Sequence, residues 1–388
     1  MARLTDAGLE AFDACTARHV ETGSVPGAVA LVAHGEQVHA VAKGSLSIGG
    51  PPVLRDSLFR IASMTKPVTG AATLALVGEG LVDLDEPVDR LLPELAERRV
   101  LRRVDGPLDD TVPATRPITA RDLLTFTFGF GVDVRMFAAE TPWPIVVAEH
   151  EANLHTLGPP HPELQPPPDE WIASLGAMPM LAQAGERWLY NTGASVLGVL
   201  CARAAGAPLD DVLATRILEP LGMHQTAMWT KEVDRLATAY AEVDGELTVA
   251  DPADGAWSRP PVFADGAAGL VSTVDDMLAF ANLLLRRGDP LLSEAAVREM
   301  TTDHLSKEQR ERDGGPILGG QGWGFCQAVV VDGPRAGAFG WAGGLGTTWL
   351  VDPIRGLVVI VLTQRMFTSP TPPAIHADLQ EAAYAALG

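Results

Sequence analysis

Leu58-Phe59-Arg60-Ile61-Ala62-Ser63-Met64-Thr65-Lys66-Pro67 is where the chain passes from extended backbone into a helix that carries a reactive pair. From Ser63 to Leu76 apolar side chains recur at helical intervals, and Gly78-Glu79-Gly80 marks the end, so a helix with one buried face is predicted. Pro67 falls in its opening turn, where a missing N–H costs little. Ser63 and Lys66 are three residues apart and share a helical face, which brings ammonium and hydroxyl together without tertiary help. A free lysine titrates near 10.4, but burial and the positive end of a helix both favour its neutral form. Neutral Lys66 is then a base for the Ser63 hydroxyl. The bland alternative is a serine that caps a helix beside a solvated lysine.

Working outward, residues 3–22 read as a helix, and Ala28 to Ala33 with Gln37 to Ala42 read as a hairpin around His34-Gly35-Glu36. From 81 to 285 helical stretches and long loops dominate, with helices predicted near 119–126, 168–182, 192–205 and 208–218. The proline-rich run Gly158 to Pro168 reads as an extended surface loop, with a ligand-covering flap as the lesser alternative. Strand patterns return at 322–332, 337–342, 346–352 and 357–364, with a turn at Asp352 to Gly356 and a last helix over 373–386. Short connections between these strands imply antiparallel pairing, and the N-terminal hairpin needs the same sheet. The expectation is an α+β protein: residues 1–80 and 286–388 form an antiparallel sheet flanked by helices, containing both chain ends. Residues 81–285 form an inserted, mostly helical domain, with the active site between the two.

Acidic residues outnumber basic ones 49 to 29 among 388 residues, so nucleic-acid backbones and anionic membranes are repelled. The start of the chain has no basic segment followed by an apolar run, and Leu357 to Leu362 is far shorter than a membrane span. Cys15, Cys201 and Cys326 are odd in number and scattered, which fits a reducing, cytoplasmic compartment. Cys326, in Gly324-Phe-Cys-Gln-Ala-Val-Val-Val331, reads as a buried small hydrophobe in a strand. The nine histidines, His34, His155, His224 and His376 among them, lack close metal-like spacing, so no metal and no cofactor is expected. Gly319-Gly-Gln-Gly322 is not a phosphate loop, because it precedes a strand and lacks the Lys-Ser or Lys-Thr that follows one. Ser195 lacks the closing glycine of a nucleophile elbow and reads as helix interior.

The chain has only three tyrosines, at 190, 240 and 384. Tyr190 stands directly before a helix, where a hydroxyl can point into a cleft and relay a proton; a half-buried structural tyrosine is the alternative. Phe339-Gly340-Trp341-Ala342-Gly343-Gly344 ends a strand, and an N–H near Gly344 can join that of Ser63 to hold an oxyanion; a glycine-rich turn beside a core tryptophan is equally compatible. In order and spacing, Ser63-x-x-Lys66, Tyr190 and the Gly340-Trp341 strand resemble the serine β-lactamase and penicillin-binding-protein superfamily, in its class C-like branch and the family VIII carboxylesterases. Ile118 to Thr125, Leu218 to Met223 and Ala268 to Thr273 extend the likeness over nearly the whole chain. The resemblance implies a β-lactamase/transpeptidase-like fold, Ser63 as acylated nucleophile, Lys66 and Tyr190 sharing acid and base work, and the backbone of Ser63 and Gly344 as oxyanion hole.

The departures point to the substrate. Class C enzymes usually read Tyr-x-Asn, whereas Tyr190 is followed by Asn191 and then Thr192, so Thr192 stands where a substrate-binding amide is expected. They also carry Lys-Thr-Gly, whose ammonium holds an antibiotic's carboxylate; here Trp341-Ala342-Gly343 replaces it, with Trp341 and Gly343 as expected substrate contacts. An indole has one donor and no charge, which suits a neutral ester. Arg365, just after the last strand, is the residue that can restore the missing charge. The expected partner is a small-molecule ester, and the expected activity is that of a serine carboxylesterase for small to medium acyl chains. An acyltransferase, or a β-lactamase or D-alanyl peptidase, is the alternative on the same scaffold.

Overall fold

In a computed structural model, residues 3–156 and 158–388 are described. The framework elements are α1 (Asp6–Glu21), β1 (Gly27–His34), β2 (Gln37–Gly44), α2 (Thr65–Gly78), α3 (Thr192–Ala205), α4 (Val274–Leu285), β3 (Gly322–Trp323), β4 (Ala328–Val329), β5 (Phe339–Gly343), β6 (Thr347–Asp352), β7 (Leu357–Thr363) and α5 (Ala374–Ala385). Strands from both chain ends form one antiparallel sheet in the order β2-β1-β7-β6-β5-β4-β3. Leu4 bridges Leu387, so the two ends meet.

Period-two alternation on β1 explains the two layers. Ala28, Ala30 and Val32 face a core shared with α1 and α5, while Val29, Leu31 and Ala33 face the larger core around α2 and α4. β1 and β7 pair Leu31 with Ile360 and Val32 with Val359, and both strands are buried almost end to end. That burial requires the continuous apolar runs that the sequence supplies at both places. No helix among the described residues is long and apolar enough to cross a membrane.

Three expectations need correction. The strand predicted over 322–332 is two short strands folded back on each other, because Phe325 and Cys326 turn aside to donate to the Met300 and Leu124 carbonyls. Cys326 is buried, but in that turn, at φ 61°. The helix predicted over 168–182 stops at Ala177, where the Arg98 guanidinium collects the carbonyls of Leu175, Gly176 and Met178. The helix predicted over 208–218 widens into a π-turn at Ala214–Leu218, just before Pro220, whose absent N–H breaks the regular ladder. Small antiparallel pairs also occur in the middle of the chain, Arg99–Leu101 with Thr111–Pro113 and Ala239–Val243 with Glu246–Asp251, where few strands were anticipated.

Candidate active site

Ser63 lies in a single 3-10 turn, Ala62–Met64, immediately before α2. Ala62 is held at φ 43°, a conformation that costs an alanine energy and persists only where its surroundings enforce it. Several contacts enforce it here. Ile61 donates its N–H to Leu270 O and accepts from Thr347 Oγ1 at 3.0 Å through its own carbonyl, while the Leu270 N–H donates to Thr65 Oγ1. Gly343 presses against the same carbonyl: a Cβ there would meet Ile61 O at 2.2 Å. Gly343 is therefore a close-packing residue that lets β5 approach the serine turn.

One helical turn on, Lys66 is fully buried. Its Nζ donates to Ser63 Oγ at 2.8 Å and to Ala267 O at 2.9 Å. Loss of water pulls its pKa from 10.5 down to about 7, against the opposing pull of the Asp265 carboxylate. Asp265 is itself pushed up by burial and accepts from the Ser195 hydroxyl at 2.7 Å and from the Ala267 N–H at 2.9 Å. Ser195 is thus a buried residue inside α3 that braces Asp265. The sequence reading passed over Asp265, because nothing in the separation of Asp265 from Lys66 announces contact. The only local trace is an acid set in the small-residue run Asp265-Gly-Ala-Ala-Gly269.

Tyr190 is placed by reciprocal backbone hydrogen bonds with Val132, and Asn191 at φ 81° then turns the chain into α3. Its ring sits among Phe126, Trp188, Trp323 and Trp341, with centroid separations of 5.6 to 6.2 Å. Lys66 Nζ lies 4.8 Å from the ring centroid. Burial pushes the phenol up to about 12, with hydrogen bonds to Ser63 and Trp341 acting the other way. The site therefore holds an amine that burial has brought towards its neutral form beside a phenol that keeps its proton at neutral pH.

Trp341 donates its indole N–H to the Tyr190 hydroxyl at 2.7 Å. The single donor expected to meet substrate is thus spent on orienting the tyrosine. Thr192 is fully buried at the first turn of α3 and is absent from the cavity wall; Asn191 is there instead, its amide donating to Thr156 O at 2.7 Å. Arg365 donates to Ser24 O and pairs with Glu242, and it too is absent from the wall. Gly344 lines the cavity with open space where a side chain would stand. The proline-rich loop is only partly exposed: Pro162 and Gln165 are buried, and Gly158, Pro159 and Pro160 form part of the cavity wall.

The cavity has a volume of about 800 Å³, with Ser63, Tyr190, Trp341 and Gly344 on its wall. Histidines that the sequence scatters do gather in one place, His155 lying edge-on to His150 and tilted against His161 with centroids 6.1 and 5.4 Å away. Among the described residues one set has ligand atoms within 4.8 Å of each other, Cys15, His19 and Asp378. The Arg18 guanidinium donates to both Cys15 and Asp378 there, so a cation would meet a positive charge already in place.

Residues 12–383 match the model of the Beta-lactamase family. Protein Rv1367c of Mycobacterium tuberculosis is 36% identical over 364 residues, covering 89% of this chain and 87% of that protein. Esterase EstB of Burkholderia gladioli is 30% identical over 387 residues, covering 92% and 91%. Among solved structures, EstCE1, described as a hydrolase with promiscuous acyltransferase activity, superposes with a TM-score of 0.81 at 24% identity, over 98% of this chain and 99% of its own.

Proposed function

The chain belongs to the Beta-lactamase family, and from that premise we propose that it is a serine hydrolase of carboxylic esters with small to medium acyl chains, working through an acyl-enzyme on Ser63. The observation that carries this reading is the 2.8 Å contact between a fully buried Lys66 and the Ser63 hydroxyl. Neutral Lys66 takes the Ser63 proton as Oγ attacks the ester carbonyl. The backbone N–H groups of Ser63 and Gly344 hold the oxyanion. Tyr190 gives its proton to the departing alkoxide and regains one from the Lys66 ammonium, which is far the stronger acid. Water then attacks the acyl-serine, loses its proton to the same pair, and Ser63 leaves as a hydroxyl.

We further propose that the site lies between a sheet unit, which supplies Ser63, Lys66 and Gly344, and an inserted, mostly helical unit, which supplies Tyr190 and Asp265; α4, expected at the end of the inserted unit, packs on β7 and β1 and belongs with the sheet. The esterase name of a relative at 30% identity supports the reaction class. The cavity wall supports ester over lactam, since among the described residues it carries no lysine, its one arginine, Arg335, lies outside the β5 motif, and Trp341 stands where a charge would meet an antibiotic's carboxylate. Leaving that carboxylate unmatched costs ~1–3 kcal/mol, roughly 5- to 150-fold. Three buried, unpaired cysteines accord with a cytoplasmic location.

The test is a panel of p-nitrophenyl esters beside a chromogenic cephalosporin. Short-chain esters should exceed the cephalosporin about 10²-fold in kcat/KM, and comparable efficiency would favour a lactamase. The size of the cavity favours a second reading, acyl transfer, because about 800 Å³ leaves room for an alcohol beside the acyl group. A new ester formed when a primary alcohol is added to the assay would establish it.

A further inference from the structure

The cavity does not stop at the serine. It passes the edge of β5 and continues on the opposite face of the sheet, where Ala342, Leu350 and the α5 residues His376, Ala377 and Gln380 form its walls. The segment after β7 frames the passage, Phe367 donating its N–H to Gly344 O at 2.8 Å. This second compartment is mainly apolar, with polar side chains on its wall, Thr348, His376 and Gln380 among them. His376 is 2% exposed; its Nδ1 pairs with Thr348 Oγ1 at 2.9 Å, while its buried Nε2 has no partner. Gln380 lies one turn further along the same helical face, and Tyr384 one turn beyond that.

Arg335, which precedes β5, also stands on the cavity wall. Its guanidinium stacks 4.2 Å from the Tyr384 ring centroid, and no carboxylate lies within ion-pair reach of it among the described residues. Among the described residues it is the only arginine or lysine on the cavity wall, in a chain whose net charge is −20. From His376 to Tyr384 the helix rises about 12 Å, and from Gly340 to Gly344 the strand runs about 13 Å. A guanidinium with no ion-pair partner on the wall of a mainly apolar cavity recognises an anion.

Resting on the esterase reading, we propose that the physiological substrate is an ester carrying a carboxylate about 12 Å or more from the scissile carbonyl, its extended chain lying in this second compartment and its charge on Arg335. A β-lactam places its carboxylate beside the bond to be cut, so Arg335 does not serve that substrate. His376 Nε2 offers a polar contact part-way along the chain.

The experiment compares p-nitrophenyl monoesters of straight-chain dicarboxylic acids with p-nitrophenyl esters of monocarboxylic acids of equal length. With the wild type, the charged ester should gain roughly 10-fold or more in kcat/KM, only once the chain is long enough to span the channel. Arg335→Gln should abolish that gain and leave the uncharged ester within about twofold. Ala377→Trp, at an exposed position, should obstruct the channel and slow the long esters while sparing p-nitrophenyl acetate. Turnover of uncharged esters with no charge preference at any length, or a preference that survives Arg335→Gln, would overturn the proposal and leave the esterase reading standing. Absence of turnover on every ester would overturn both.

Discussion

Lys66 must be buried to be neutral and bonded to be useful, and these demands set its pH behaviour. With its pKa near 7, kcat/KM for an ester should climb as pH rises through 7 and then level off. A profile flat from pH 5 to 9 would remove Lys66 from the role of base. Asp265 pulls the lysine the other way, so Asp265→Asn should move the rising limb to lower pH; a shift to higher pH would contradict the electrostatic account. The same burial acts on stability. Between pH 7 and the unfolded value near 10.4 the folded chain binds fewer protons at this site than the unfolded chain, so stability rises with pH across that window. Melting curves should show the Tm advantage of Lys66→Met over wild type shrinking from pH 7 to pH 9. Tyr190 and Trp341 form the second coupled pair. Trp341→Phe keeps an aromatic ring but leaves the phenol without its donor, so the loss should fall on kcat for esters with poor leaving groups. A change confined to KM would return the indole to the substrate-binding role that the sequence suggested.

At the scale of elements, the local patterns were legible and the long-range ones were not. The hairpin of β1 and β2 and the run from β5 to β7 follow from short apolar runs bounded by turn residues, and Ser63 with Lys66 follows from helical spacing. The strand expected over 322–332 failed because the partners that bend it, the Met300 and Leu124 carbonyls, lie far away in sequence. Asp265 was missed for the same reason. Thr192 was favoured over Asn191 by counting positions, whereas the left-handed turn at Asn191 sends the side chain before the helix, and not the one inside it, to the cavity. Gly343 shows how an element places a site: Gly343→Ala should force β5 away from Ile61, costing ~1–3 kcal/mol in stability, measured by denaturant unfolding. The rate should fall with it, since Gly344 moves with the strand; full activity in that variant would contradict the proposal that the Gly344 N–H holds the oxyanion.

For the whole molecule, a sheet built from the chain ends and an inserted helical region bring together residues that no short window of sequence contains. Ser63, Tyr190, Asp265 and Gly344 share one cavity, and each is delivered by a different segment whose position depends on the rest of the fold. The account stands on Ser63 becoming acylated. Rapid-quench mass spectrometry of the protein during turnover of a p-nitrophenyl ester measures this directly. The expected result is a mass increase of one acyl group, mapped to the peptide containing Ser63 and absent, with turnover, in Ser63→Ala. An acyl adduct on Ser195, or a Ser63→Ala variant that still hydrolyses the ester at the wild-type rate, would contradict the account.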